Sequence, residues 1–172
     1  RDQALLSGCV YAADVSLREC QYRGNIADFS GCVYRENADL AGSIYEGVTD
    51  FSQSVWHGKA RLTGCMYFKN VNFASSTYRE RADFGGSTFN RDTDFSGSTY
   101  KGEACFAGST YKGVAYFHDS IYQGEVYFRS STYESGAYYE GVAYFHNSIY
   151  QGEVYFDNDT TYKGGAYFHD SI

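Results

Sequence analysis

Ala82-Asp83-Phe84-Gly85-Gly86 followed by Ser87-Thr88-Phe89-Asn90-Arg91-Asp92 is the passage that decides the fold. It divides into five residues plus six, and each part carries a small residue two positions before a large apolar one, Ala82 before Phe84 and Ser87 before Phe89. Residues two apart point to the same side of a β-strand. Both members of each pair therefore face inward, while Asp83 and Thr88 between them face out. The apolar spacing of three and four that a helix requires is absent.

Outward from this passage the unit recurs every 11 residues. The first large residue stands at Phe29, Leu40, Phe51, Leu62, Phe73, Phe84, Phe95, Phe106, Phe117 and Phe128, the second at Tyr34, Tyr45, Trp56, Tyr67, Tyr78, Phe89, Tyr100, Tyr111, Tyr122 and Tyr133. Gly47, Gly58, Gly102, Gly113, Gly124, Gly152 and Gly164 fall at the corners between parts, where positive φ is often needed. The absence of proline fits a structure in which every ladder needs its N–H donors.

Two irregularities test the period. From Leu17 to Phe29 the step is twelve, and from Phe128 to Phe145 it is seventeen, read as the loss of a five-residue part. A coil of about 22 residues with four equivalent faces absorbs such a loss by advancing a quarter turn early. On that reading Tyr34, Trp56, Tyr78, Tyr100, Tyr122, Phe145 and Phe168 stack on one wall, and Phe29, Phe51, Phe73, Phe95, Phe117, Tyr139 and Tyr162 on another. Residues 1–172 form one all-β solenoid domain of about seven coils, a rod roughly 35 Å long at a strand spacing of about 4.8 Å.

These residues resemble the pentapeptide-repeat family, whose unit reads A(D/N)Lxx or A(D/N)Fxx, in the subgroup where five- and six-residue units alternate. The resemblance covers nearly the whole chain and implies a right-handed, four-sided parallel β-helix. This chain departs from the family in carrying Tyr at half of the central positions and in a coil about two residues longer. The Asp of the family unit stands at Asp28, Asp39, Asp50, Asp83 and Asp94, then gives way to Tyr116, Tyr127, Tyr138, Tyr144, Tyr155 and Tyr167.

Those six Tyr occupy an outward slot and form the candidate interaction surface. They either stiffen the sheet by cross-strand stacking or offer a contact surface to a partner, with sugar rings a lesser option. A second outward row, Val33, Ile44, Val55, Met66, Thr77, Thr88, Thr99, Thr110, Ile121, Thr132 and Ile149, reflects β-propensity, and its threonines are the basis of a minor ice-binding reading. Cys9, Cys20, Cys32 and Cys65 take the small inward slot and are expected reduced, as small hydrophobes. A Cys9–Cys32 bridge across one coil would need demanding geometry. Cys105 lies outward and could serve as a reactive thiol. His118, His146 and His169 read as solvated repeat residues, and a pair such as His146 and His169 falls short of the four ligands of structural zinc. No catalytic residue, cofactor site or metal site is expected.

The chain has 19 Tyr, 13 Phe, one Trp and a net charge of −7, of which −1 falls in residues 1–86 and −6 in the remainder. That sign opposes direct nucleic-acid binding, and no run approaches the roughly 18 apolar residues of a membrane span. Beginning at Arg1 without Met or an apolar leader, the chain reads as a processed product or a piece of a longer repeat array, in an extracellular or cytoplasmic setting. The expected function is a non-enzymatic structural scaffold that contacts proteins and associates with itself end to end into filaments. The motive is a final unit, Tyr167 to Ile172, that stops partway. The alternative, implied by the resemblance, is an acidic DNA mimic that regulates a type II topoisomerase.

Overall fold

The structure is a computed structural model that describes residues 3–134, 143–156, 160–163, 166–168 and 170–171. Those residues form twenty-nine strands of two or three residues each and no helix. Each strand pairs in parallel with the one four elements later, so four sheets run the length of a β-solenoid, one of eight strands and three of seven. Lettered in the order in which the chain visits them, face A includes Ile26–Asp28, face B Val33–Tyr34, face C Ala38–Asp39 and face D Ile44–Tyr45. The coil is 22 residues through the middle of the molecule, with Val55 paired to Thr77 and Ala82 to Ala104. Backbone N–H groups bond coil to coil on every face, as in Phe73 to Asp94 at 2.6 Å and Lys101 to Tyr78 at 2.8 Å.

The inward residues build the core. Phe29, Phe51, Phe73, Phe95, Phe117, Phe145 and Phe168 stack under face A with ring centroids 4.6–5.2 Å apart. From Phe84 to Phe128 the face C column meets them edge to face at 5.0–5.1 Å, and Phe156 does so at 5.5–5.7 Å, a geometry that aromatic quadrupoles favour. Tyr columns line the other two faces, with Tyr78, Tyr100 and Tyr122 on face B and Tyr111, Tyr133 and Tyr162 on face D. Their buried hydroxyls make no protein hydrogen bond, and burial drives the phenols of Tyr100 and Tyr122 well above the ordinary tyrosine range.

Serines at the small inward slot close the backbone ladder at the corners. Ser76 Oγ accepts the N–H of Ser54 at 3.2 Å and donates to the Phe51 carbonyl at 3.2 Å. Cys32 and Cys65 occupy the same slot, and their thiols donate to the carbonyls of Leu6 at 3.0 Å and Leu40 at 3.3 Å. They thus substitute for the serine hydroxyl, a role beyond that of a small hydrophobe. All five cysteines are free thiols.

The structure corrects two expectations of register. Phe145 stacks under Phe117 rather than Tyr122, Tyr150 takes the place under Tyr122, and Tyr162 lies under Tyr133. No quarter turn is skipped. Thr132 to Ala143 spans eleven positions where Thr110 to Ala115 spans five, so this coil carries six additional residues, and Tyr116 pairs with Tyr144. The physical reason is column matching, which keeps Phe on Phe, Tyr on Tyr, and Ser148 Oγ under the Ser120 N–H at 3.3 Å. Tyr139 lies outside the described residues.

The corner glycines are also used differently from expectation. Positive φ belongs to the other corner, two residues after the first large residue, as at Gly86 with φ of 67°. Gly102 is demanded by close approach instead, since a Cβ there would lie 2.6 Å from the Glu80 carbonyl carbon. The same crowding holds at Gly47, Gly58, Gly113, Gly124 and Gly152, while Gly164 lies outside the described residues.

Candidate functional site

The last residue of each face A and face C strand points outward, and these residues form two surface columns. On face A the column reads Leu5, Asp28, Asp50, Asn72, Asp94, Tyr116, Tyr144 and Tyr167. On face C it reads Ser16, Asp39, Arg61, Asp83, Cys105, Tyr127 and Tyr155. A coil of 22 residues sends successive elevens to opposite faces, so the tyrosines divide into two ladders on opposite sides of the rod. Tyr138 lies outside the described residues.

Both ladders are stacked. On face A, Tyr116 and Tyr144 lie 5.5 Å apart and Tyr144 and Tyr167 5.3 Å, with Tyr167 52% exposed and the other two half-buried against the sheet. On face C, Tyr127 and Tyr155 lie 4.7 Å apart and are half-buried. Their hydroxyls donate to Glu125 and Glu153 respectively, and the Arg129 guanidinium sits 5.0 Å above the Tyr127 ring. The Glu125 carboxylate, by accepting a hydrogen bond from the neutral phenol, pushes Tyr127 up to about 12. The Tyr127 and Tyr155 phenols, both raised by their Glu partners, stay neutral at physiological pH and present flat, polar-rimmed rings.

The acidic stretch of each column has another role. Asp50 Oδ1 accepts the N–H of Ser52 at 2.8 Å, and Asp94 Oδ1 that of Ser96 at 2.8 Å, so the side chain caps the turn that follows. On face C charges pair across coils, with Arg61 3.4 Å from Asp39 and Arg81 2.9 Å from Glu103, while Arg81 also lies 2.9 Å from Asp83 of its own coil. Where the acidic stretch of face A meets its tyrosines, an open groove of about 350 Å³ is lined by Asp50, Asn72, Asp94 and Tyr116 among others.

The remaining sequence candidates separate. The threonine row divides between two faces, with Thr77 and Thr99 on face B and Thr88, Thr110, Thr132 and Thr161 on face D, one rank on each. Cys105 does point outward, but burial pushes its thiol up, the reverse of the shift that activates a nucleophile. His118 pairs with His146, ring centroids 4.6 Å apart, and its Nδ1 lies 2.7 Å from Asp119 Oδ2. His169 lies outside the described residues.

The division into two ladders was derivable from the 22-residue coil, because Tyr116 and Tyr127 stand eleven apart. The capping by Asp Oδ1 had no comparable signal, since it depends on turn geometry. No protein-family model matches the chain, and no curated protein matches it.

Proposed function

We propose that the protein is a non-enzymatic scaffold whose rod associates with copies of itself, and that it is a divergent member of the pentapeptide-repeat family. The observation that carries the function is the pair of tyrosine ladders on opposite faces, Tyr116–Tyr144–Tyr167 and Tyr127–Tyr155. Stacked rings with polar rims suit contact surfaces, and they lie in the half of the chain whose charge of −6 would otherwise keep copies apart. Ladders on opposite sides let each rod take a neighbour on either hand. The terminal coil of any solenoid also offers an unpaired ladder, so end-to-end addition is a second route to the same assembly. Support for the family is the four-faced coil of parallel strands with Ala-Asp-Phe units facing as the resemblance implies.

Light scattering and negative-stain images at rising concentration test this. Elongated or bundled particles are expected, and replacing Tyr116, Tyr127, Tyr144 and Tyr155 by Ser should remove lateral bundling while leaving the circular dichroism of the monomer intact. A wild-type chain that stays monomeric at high concentration would overturn the proposal.

The acidic stretch Asp28, Asp50 and Asp94 on face A supports a second reading, a DNA mimic acting on a type II topoisomerase. The arginines paired into face C weaken it. Inhibition of such an enzyme by the rod, lost on reversing those three charges, would favour this reading over the first.

A further inference from the structure

We infer that His118, Asp119 and His146 form a binding site for one divalent transition-metal cation of the Zn²⁺ class. One ligand atom from each of the three lies within 4.8 Å of the others. Sequence alone does not bring them together, because His118 and His146 meet only through the 28-residue coil that pairs Tyr116 with Tyr144. Below them the backbone is tied, with the Asp119 N–H donating to the His146 carbonyl at 3.0 Å. Tyr116 and Tyr144 set their rings edge-on to His118 and His146 at 5.8 and 5.9 Å, and the two imidazoles stack 4.6 Å apart, so a turn of these partly exposed rings about their Cβ–Cγ bonds is what would bring both nitrogens onto one ion.

The donor chemistry points to the cation. Two neutral imidazoles and one carboxylate are a borderline set that suits Zn²⁺, Co²⁺ or Ni²⁺ rather than Mg²⁺ or Ca²⁺, with the remaining positions open to water. His118 Nδ1 and Asp119 Oδ2 already face each other at 2.7 Å, and a cation entering between them takes the place of the hydrogen they share. The two rings come from neighbouring coils, so the ion would clip together the two coils between which the six additional residues are inserted. This is a second reason for the chain to keep those columns in register.

Titration of the untagged full chain with ZnCl₂ by calorimetry is the test. One equivalent should bind with a Kd of about 10 μM or tighter. His118→Ala, Asp119→Asn and His146→Ala should each weaken binding by roughly tenfold or more, as expected when one of three ligands is lost, and His57→Ala should leave it unchanged. All four positions are at least partly exposed, and unchanged circular dichroism would show that the variants fold. The Co²⁺-loaded protein should show ligand-field bands without thiolate charge transfer, which separates this site from the cysteines. Absence of binding, binding that survives both histidine variants, or a thiolate spectrum would overturn the assignment.

Discussion

The coils up to Asp94 and those after Cys105 share one backbone and use its outward slot in opposite ways. In the first region the slot is mostly Asp or Asn, with Leu5, Ser16 and Arg61 the exceptions, and the Asp or Asn Oδ1 caps the following turn, as Asp28 does for Ser30 at 3.0 Å and Asn72 for Ala74 at 2.9 Å. In the second it holds Tyr, which cannot cap, and the side chains stack on one another instead. The left-handed turn position changes with it. It is mostly glycine where the slot is acidic, as at Gly31, Gly42, Gly86 and Gly97, and becomes Asp119, Ser130, Asn147 and Asp170 where the slot is Tyr. Inward, Leu40 and Leu62 on face C give way to Phe84, Phe106 and Phe128. A solenoid contacts itself only through adjacent coils, so its surface chemistry can change along the rod while the ladder beneath continues.

Removing the shared core should break both regions alike. Phe95→Ala is expected to cost about 3–5 kcal/mol in chemical denaturation, because Phe95 is fully buried between Phe73 and Phe117 and meets Phe84 and Phe106 edge-on. A loss below about 1 kcal/mol would show that the columns are loosely packed.

Alkaline titration separates inward from outward phenols. The inward Tyr45, Tyr67, Tyr100 and Tyr133 are raised well above 10 by burial, so the folded chain holds protons that the unfolded chain releases near pH 10. Stability is therefore fully present below pH 10 and falls as pH rises beyond it, and phenolate absorbance should appear largely together with unfolding. The outward Tyr127 owes its value of about 12 first to Glu125, so Glu125→Gln should bring it back toward 10 without moving the inward set.

The difference at the outward slot itself is smaller. Asp94→Ala should cost about 1 kcal/mol by freeing the Ser96 N–H, and Asp94→Tyr should recover part of that loss by extending the face A ladder onto Tyr116. Equal losses in the two variants would mean that stacking contributes nothing there.

Smallest of all, Tyr116→Ala should cost roughly 0.2–1 kcal/mol through its stack on Tyr144, within the reach of paired denaturation curves. Its effect on bundling should be larger than its effect on stability. The reverse ranking would assign the ladder to folding rather than to contact.

The five-plus-six register, the inward and outward assignments and the four-faced coil were legible in the sequence. Each follows from the two-residue alternation of a strand and from a period repeated too often to be local accident. Phe95 and Tyr100 face inward in any structure that keeps that alternation. The same arithmetic contains the opposite faces of Tyr116 and Tyr127, once the coil is taken as 22 residues rather than eleven.

Other features depend on which coil lies under which, and a period interrupted at residues 134–143 leaves that open to more than one pairing. Only the tertiary structure decided that Phe145 packs on Phe117, because the choice rests on summed stacking and on the serine ladder across every later coil rather than on any local preference. The meeting of His118 with His146 follows from that choice alone, since residues 28 apart become neighbours only when the longer coil is kept in register. Asp94 as a cap and Gly102 as a point of backbone contact were likewise settled in three dimensions. The sequence names a residue type at each corner, but whether that corner needs a positive φ, an acceptor or room for the coil below is set by the path of the neighbouring chain.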